Sequence, residues 1–177
     1  MTREEKLFRK LNNGDSSALD ELIRGIYPDI FRYCQYHTSS RQTAEDATQE
    51  TFLKAVRHID NCTDYKQFRA YLYKIAVNTC IDFWRKTEHP EYQLPEEYIE
   101  AGFEQVESEI NLKKMLDALP VNQREVVILR YVHELKTREI ASIVNEPLRT
   151  VQSRLRAALK VLKKNLAKGE STNGQKF

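Results

Sequence analysis

The sequence has few of the residues that interrupt helices, with five glycines and five prolines among 177 residues. Because glycine and proline are the residues that most disfavour a helix interior, long stretches without them permit long helices. In those stretches apolar residues recur every three or four positions, which is typical of amphipathic helices. The sequence therefore predicts an all-α protein made of two small helical domains.

Long apolar runs are also missing, and the first ten residues, MTREEKLFRK, are charged from the start. We therefore expect neither secretion nor insertion into a membrane. The three cysteines, Cys34, Cys62 and Cys80, are odd in number and widely spaced. That pattern fits a reducing compartment better than a disulfide framework and predicts a cytoplasmic protein.

Basic residues are absent from residues 89–111, which hold seven acidic residues, whereas residues 112–177 hold 14 basic and 6 acidic residues. Two prolines and a glycine also fall within residues 89–106, which we interpret as a flexible acidic linker. We predict domains over residues 1–88 and 107–168, followed by a disordered tail at 169–177. The basic charge of the second domain indicates a polyanionic partner.

The stretch QFRAYLYKIAVNTCIDFWRK (67–86) predicts one long helix. The face that we expect in the core holds Phe68, Leu72, Ile75, Ala76, Thr79, Cys80 and Phe83. A narrow polar stripe along one edge holds Gln67, Tyr71, Lys74, Asn78, Asp82 and Arg85. Aromatic and basic groups interleaved in this way suit single-stranded nucleic acid, although a core helix with a solvated edge explains this helix alone equally well.

The helix before it, AEDATQETFLKAVRHI, is expected to begin after an N-cap at Ser39 or Ser40. Its buried seam for packing would be Ala44, Ala47, Thr48, Thr51, Phe52, Ala55, Val56 and Ile59. Its outward face presents Asp46, Gln49, Glu50, Leu53 and Arg57. Because that face is largely acidic, it predicts a protein contact if it is more than a solvated surface.

Three further features of the first domain are predicted from local signals. Asp15 or Ser16 would cap the helix over residues 17–37, and Pro28 would kink or split it. The polar loop from Asp60 to Tyr65 would lie at the N-terminal end of the polar stripe, so loop and stripe could share one site.

The second domain contains a helix-turn-helix pattern, with the turn at Asn145-Glu146-Pro147. A preceding helix would begin with a capping box between Asn122 and Glu125. The outward face of the last helix holds Arg149, Gln152, Arg156 and Lys163. The residues placed to read base edges are Arg149, Gln152 and Ser153, and those placed for phosphates are Arg154, Lys160 and Lys163.

Two stretches resemble one family, the extracytoplasmic-function (ECF) sigma factors, which are promoter-selecting subunits of bacterial RNA polymerase. The segments AEDATQETFLKA and FRAYLYKIAVNTCIDFWRK resemble sigma region 2. The segment LPVNQREVVILRYVHELKTREIASIVNEPLRTVQSRL resembles sigma region 4. The resemblance implies core RNA polymerase and promoter DNA as partners, an anti-sigma factor as a regulator, and no enzymatic activity, metal or cofactor.

The resemblance also implies three sites. Residues that would dock on the clamp helices of the largest polymerase subunit are Asp46, Gln49, Glu50 and Leu53. Residues that would open the -10 element, including a loop that captures a flipped base, are Asn61, Thr63, Tyr65, Lys74, Asn78, Asp82, Arg85 and Lys86. Residues that would read the -35 element as duplex are Arg149, Thr150, Gln152, Ser153, Arg154, Arg156 and Lys160.

Three positions depart from the family pattern of the helix-turn-helix. Arg149 stands where a glycine is usual, and Ala157 stands where an arginine is common. Lys136 replaces the usual capping serine, so any side-chain cap is expected from Thr137. The -35 sequence therefore cannot be taken over from the family.

Two other functions are open on the residues alone. A stand-alone helix-turn-helix regulator would explain residues 112–166, but it would leave the polar stripe without a role. A zinc or redox site could start from Cys34 and His37, which lie on adjacent helical turns, but no second pair of ligands is evident. No phosphate-binding glycine loop and no nucleophile motif is present in the sequence.

Overall fold

The computed structural model describes residues 1–86, 112 and 114–173. Every regular element in these residues is helical and none is a strand, so the predicted all-α fold is confirmed. The chain divides into two compact units, and each is described by itself. The predicted acidic linker at residues 89–106 lies outside the described residues.

The N-terminal unit is a four-helix arrangement. Its helices are α1 (Arg3–Asn12), α2 (Ala18–His37), α3 (Arg41–Val56) and α4 (Tyr65–Lys86), with a short 3-10 helix at Ile59–Asn61 between α3 and α4. Helices α1, α2 and α3 all pack against α4. The long helix predicted over residues 67–86 is therefore the centre of the unit.

Local side-chain bonds explain where several helices begin. The Thr2 hydroxyl accepts the Glu5 amide at 3.2 Å and the Glu5 carboxylate accepts the Thr2 amide at 2.9 Å, which is a capping box for α1. The Ser40 hydroxyl accepts the Thr43 amide at 3.1 Å, which confirms Ser40 as the cap of α3. At the start of α2 the Asp15 carboxylate accepts the Ser17 amide at 3.2 Å, in line with the predicted capping by Asp15, whereas the N-cap residue Ser17 makes no side-chain capping bond.

Helix α2 is continuous from Ala18 to His37, so Pro28 does not split it as predicted. Proline removes one backbone hydrogen bond at this point. Both halves of the helix nevertheless face the same core, since Leu22 and Ile26 before the proline and Ile30 and Cys34 after it are buried. Burial of these four side chains therefore anchors both halves of the helix in one core.

The core of the unit is as the helical periodicity predicts. On α4, the side chains of Phe68, Leu72, Ala76 and Thr79 have no exposed surface, and Ile75 and Cys80 are also buried. On α3, Ala44, Ala47, Thr48, Thr51 and Ala55 are fully buried and Val56 is half-buried. Tyr73 was not assigned to the core, yet it is fully buried, with its ring edge-on to Tyr33 at 5.9 Å.

The C-terminal unit contains the helix-turn-helix. Its elements are α5 (Val121–Val127), a π-helical turn at Ile128–Val132 that continues α5, α6 (Thr137–Ile143) and α7 (Leu148–Asn173). Residues 114–117, before α5, are also helical. Helical spacing predicts a buried side made of Val126, Leu129, Val132 and Leu135; Val132 is half-buried and the other three are fully buried. Ile140, Val151 and Ala158 are also fully buried.

Three predictions for this unit are wrong at helix ends. Asn122 does not cap α5, because the N-cap is Pro120, whose carbonyl accepts the amides of Gln123 and Arg124 at 2.9 Å. Thr137 is the first residue of α6, and the amide of Lys136 is held by the Glu139 carboxylate at 2.7 Å. The third prediction is the disordered tail at 169–177, of which residues 169–173 belong to helix α7. The helix continues through Gly169 because one glycine costs a helix only about 1 kcal/mol relative to alanine.

Among the described residues, two other than glycine adopt a left-handed backbone, Glu134 with φ 54° and Asn145 with φ 53°. Asn145 follows α6, and the next amide, of Glu146, bonds to the Ala141 carbonyl at 3.0 Å as in a Schellman motif. Glu134 follows the π-helical turn, and the Leu135 amide bonds back to Leu129 at 3.0 Å. Asparagine tolerates this conformation better than glutamate does.

Replacing Glu134 with glycine is expected to raise the free energy of unfolding of the C-terminal unit by about 0.5–1 kcal/mol. The left-handed conformation costs an L-residue about 1–2 kcal/mol, and part of the gain is lost to the greater freedom of glycine in the unfolded chain. Urea denaturation, followed through amide signals of this unit, measures the change. Asn145→Gly is the matched control and should gain less; an equal or larger gain there would contradict the explanation.

Candidate nucleic-acid interface

The polar stripe of α4 is exposed along most of its length. Gln67, Lys74, Asn78, Asp82 and Arg85 are exposed, as is Lys86 beyond them. Tyr71 is half-buried, with its ring edge-on to His58 at 6.3 Å. A line of amide, carboxylate and cationic groups thus crosses the surface of a helix whose opposite face is buried in the core.

The loop before α4 is held in place by Gln67 and Asp64. The Gln67 side-chain carbonyl accepts both the Thr63 amide at 2.8 Å and the Thr63 hydroxyl at 3.1 Å. The Asp64 carboxylate accepts the Gln67 amide at 2.9 Å, which caps the helix. Loop and stripe therefore meet at the first turn of α4, as predicted, and Gln67 belongs to both.

Helix α1 forms a second wall beside this loop. A surface cavity of about 330 Å³ lies between them, with Arg9 and Asn12 on the α1 side and Thr63 and Lys66 on the loop side. The Asn12 side-chain amide donates to the Thr63 carbonyl at 3.4 Å. Sequence reasoning missed this contribution of α1, because no local pattern links residues 51 positions apart.

Tyr65 is less accessible to DNA than its predicted place in the -10 site implies. Its ring lies 6.5 Å from that of Phe8 on α1, and the residue is half-buried. Burial raises the pKa of Tyr65 to about 12, so the phenol stays neutral at physiological pH. The other predicted loop residues, Asn61 and Thr63, are exposed.

The outward face of α3 carries the predicted protein-contact residues. Leu53 is 65% exposed, and Asp46 and Gln49 are exposed around it. Glu50 is half-buried and forms an ion pair of 2.6 Å with Lys54. The Lys54 ammonium also lies 3.5 Å from the Thr79 hydroxyl of α4, so this face is tied to the helix that carries the stripe.

In the helix-turn-helix, α7 presents most of its predicted residues to solvent. Arg149, Gln152, Ser153, Arg156, Lys160 and Lys163 are exposed, and Thr150 is half-buried. Val151, Leu155 and Ala158 are buried on the opposite face, as the periodicity predicts. Arg154 differs from the others, because its guanidinium is paired with the Glu146 carboxylate at 2.8 Å.

The cysteine and histidine considered for zinc have other contacts. Cys34 is fully buried, and a hydrogen bond with the Cys80 thiol lowers its pKa. His37 Nδ1 lies 2.9 Å from the Tyr33 carbonyl, and its ring stacks on Tyr33 at 4.2 Å. Across residues 1–86 and 114–173 no group of three His, Cys, Asp or Glu side chains converges as a metal site.

Comparison with known proteins assigns both units. The family model for sigma-70 region 2 matches residues 22–89, and that for sigma-70 region 4 matches residues 109–162. SigV of Bacillus subtilis is 32% identical over 142 residues, which cover 79% of this chain and 86% of SigV. This chain belongs to the ECF RNA polymerase sigma factors. SigW of the same organism is 30% identical, with 92% of this chain and 96% of SigW covered.

Solved structures share the fold of this sigma factor. CnrH, in complex with the cytosolic domain of CnrY, matches with a TM-score of 0.69 at 19% identity, covering 93% of this chain and 97% of CnrH. RpoE of Bartonella quintana, in complex with the anti-sigma factor NepR, matches with a TM-score of 0.64 at 22% identity, covering 84% and 96%. Within the described residues no helix of this chain is long and apolar enough to span a membrane.

Family membership settles the general activity. A sigma factor directs promoter-specific transcription with RNA polymerase and is a DNA-binding initiation factor, not an enzyme. The stand-alone regulator is not favoured, because the match to region 2 covers the helices that such a regulator would leave without a role.

Replacing Gln67 with methionine is expected to loosen the loop, because methionine lacks the carbonyl that Thr63 bonds to. The Thr63 amide should exchange with solvent roughly two- to fivefold faster, as the loss of a hydrogen bond worth about 0.5–1 kcal/mol predicts. Amide exchange of the full chain measures this rate. Gln67→Glu keeps the acceptor and is the control; equal acceleration in both variants would mean that the bond does not hold the loop.

Proposed function

We propose that this sigma factor contacts core RNA polymerase through the outward face of α3, opens the -10 element with α4 and reads the -35 element with α7. The observation that carries the proposal is the pairing of two DNA-suited surfaces in one chain. The α4 stripe offers amides and cations along a line, which suits an unstacked strand. The α7 face offers side chains that reach base edges in a major groove.

For polymerase binding, the proposed contact centres on Leu53. A large apolar side chain that stays exposed among Asp46, Gln49 and Glu50 fits the centre of a protein interface, with polar groups at its rim. The expected partner is the clamp-helix segment of the largest polymerase subunit. Because Lys54 neutralises Glu50, the exposed apolar side chain of Leu53, and not the charge of this face, favours a protein contact over DNA.

For promoter opening, the stripe and the loop act together. Lys74, Arg85 and Lys86 pair with phosphates of the displaced strand, while Asn78 and Asp82 bond to base edges. A base that leaves the stack meets the cavity between α1 and the loop, where Thr63 and Asn12 present polar groups, and Asn61 is exposed earlier in the same loop. Unstacking one base costs a few kcal/mol, which hydrogen bonds and stacking in a pocket offset.

For the -35 element, Arg149, Gln152 and Ser153 at the N-terminal end of α7 read bases in the major groove, with Thr150 beside them. Gln152 suits adenine and Arg149 suits guanine. Arg156 and Lys160 pair with phosphates. Arg154 has to share or leave its ion pair with Glu146 before it reaches a phosphate.

Regulation by an anti-sigma factor and a cytoplasmic location complete the proposal. Support comes from RpoE of Bartonella quintana, whose structure was solved with the anti-sigma factor NepR. We assign polymerase binding and -10 opening to residues 1–88 and -35 reading to residues 107–168, joined by residues 89–106.

In vitro transcription tests the whole proposal. The purified chain is added to core RNA polymerase with fragmented genomic DNA of its source, and new transcription starts are mapped. Discrete starts that share two spaced sequence boxes are expected. Binding to core without any start would refute promoter opening, and failure to bind core would refute the polymerase contact.

The double variant Asn78→Ala, Asp82→Ala is expected to reduce open-complex formation on the order of tenfold, because two groups proposed to bond to bases are removed. Binding to core polymerase should stay near the wild-type value. Permanganate footprinting of the opened strand and a pull-down of core measure the two quantities.

A matched control is Asp20→Ala, Arg24→Ala, which removes an ion pair whose side chains are each 80% exposed on α2. It should leave both quantities unchanged. Loss of core binding in the α4 variant would show that this stripe contacts protein and not DNA.

A further inference from the structure

An ion pair within the helix-turn-helix joins the turn to the recognition helix. Glu146 lies in the turn before α7, and its carboxylate contacts the Arg154 guanidinium at 2.8 Å. The side chains are 34% and 24% exposed, so water reaches the pair only in part. Glu146 is also fixed through its backbone, because its amide bonds to the Ala141 carbonyl at the end of α6.

The charge around this pair is one-sided. Between Glu146 and Glu170 the sequence contains no acidic residue, whereas it contains Arg149, Arg154, Arg156 and four lysines. Such a helix attracts duplex DNA of any sequence, since phosphate contacts carry no sequence information. A carboxylate at its start opposes that attraction, both by neutralising one cation and by repelling phosphates.

We propose that Glu146 keeps Arg154 from phosphates and so lowers the affinity of α7 for duplex DNA of any sequence. The proposal rests on the proposed binding of duplex DNA by α7. A phosphate contact contributes at every sequence, so withholding one weakens sequence-independent binding and leaves the discrimination between sequences to the residues that contact bases. Glu146 acts on DNA through Arg154 and reads no base itself.

The test compares wild type with Glu146→Gln in the full chain, using a random-sequence DNA duplex as the probe. Fluorescence anisotropy gives the binding constant at salt concentrations from about 50 to 200 mM. The logarithm of the binding constant falls as the logarithm of the salt concentration rises, and this slope should be steeper by about 0.9 in the variant. A difference of about 0.9 corresponds to one more phosphate contact. Over this fourfold range of salt, the added slope changes the relative affinity roughly threefold, with the variant binding more tightly at low salt.

Two further variants separate this mechanism from a general change of charge. In an Arg154→Gln background, Glu146→Gln should no longer add the extra slope, because the cation that it releases is missing. Glu134→Gln changes the net charge by the same amount at a residue outside the ion pair. Any change that it makes to the slope of log K against log salt should therefore be the same with Arg154 and with Arg154→Gln. Glutamine at 146 keeps a side-chain carbonyl for the Arg154 guanidinium, and circular dichroism checks that each variant is folded.

The outcomes are distinct. An unchanged slope in Glu146→Gln, or a gain that persists without Arg154, overturns the role of Glu146 while leaving -35 reading intact. Holoenzyme that binds a mapped promoter no better than a scrambled duplex overturns the proposed reading by α7 itself. If both proposals hold, Glu146→Gln raises the affinity for the promoter and for the scrambled duplex by similar factors, so the ratio between the two affinities stays unchanged.

Discussion

The burial of α4 on nearly all its sides is the constraint on which the N-terminal unit depends. Phe68, Leu72, Tyr73 and Ala76 have no exposed surface, and three helices pack around them. A rotation of α4 by one residue, about 100°, would place core side chains in water and Asn78 in the core. Core packing therefore fixes the direction in which the polar stripe faces.

The neighbouring helix α3 contributes to this constraint through its small side chains. Ala44, Ala47 and Ala55 are fully buried, which lets α3 and α4 approach closely. The buried hydroxyls of Thr48 and Thr51 donate to carbonyls one turn earlier, at 2.6 and 2.7 Å, so they leave no unpaired polar group in the core. Because this seam faces inward, Leu53 on the opposite side of α3 is necessarily exposed.

Sequence periodicity was sufficient to predict which faces of α3, α4 and α7 are buried, because a helix alternates its environments with a fixed period. It was not sufficient for contacts between distant segments. The approach of Asn12 to Thr63 depends on how α1 packs through Phe8, whose ring stacks on Phe68 at 5.6 Å. The pairing of Glu146 with Arg154 likewise depends on the turn geometry that the left-handed Asn145 creates. Helix ends were predicted least well, since α5 starts with bonds to the Pro120 backbone carbonyl, and the Lys136 amide before α6 is held by the side chain of Glu139.

The three buried cysteines have a practical consequence for studying how this protein moves. Cys34, Cys62 and Cys80 form no disulfide and have almost no exposed surface. Reaction with a maleimide dye requires an accessible thiolate, so the native thiols are shielded while the protein stays folded. A single cysteine introduced at an exposed position such as Gln42 would therefore accept a fluorophore selectively, with the native sequence otherwise intact. A second cysteine at an exposed position of the C-terminal unit would carry the acceptor dye, and fluorescence energy transfer could then follow the distance between the two units as each partner binds.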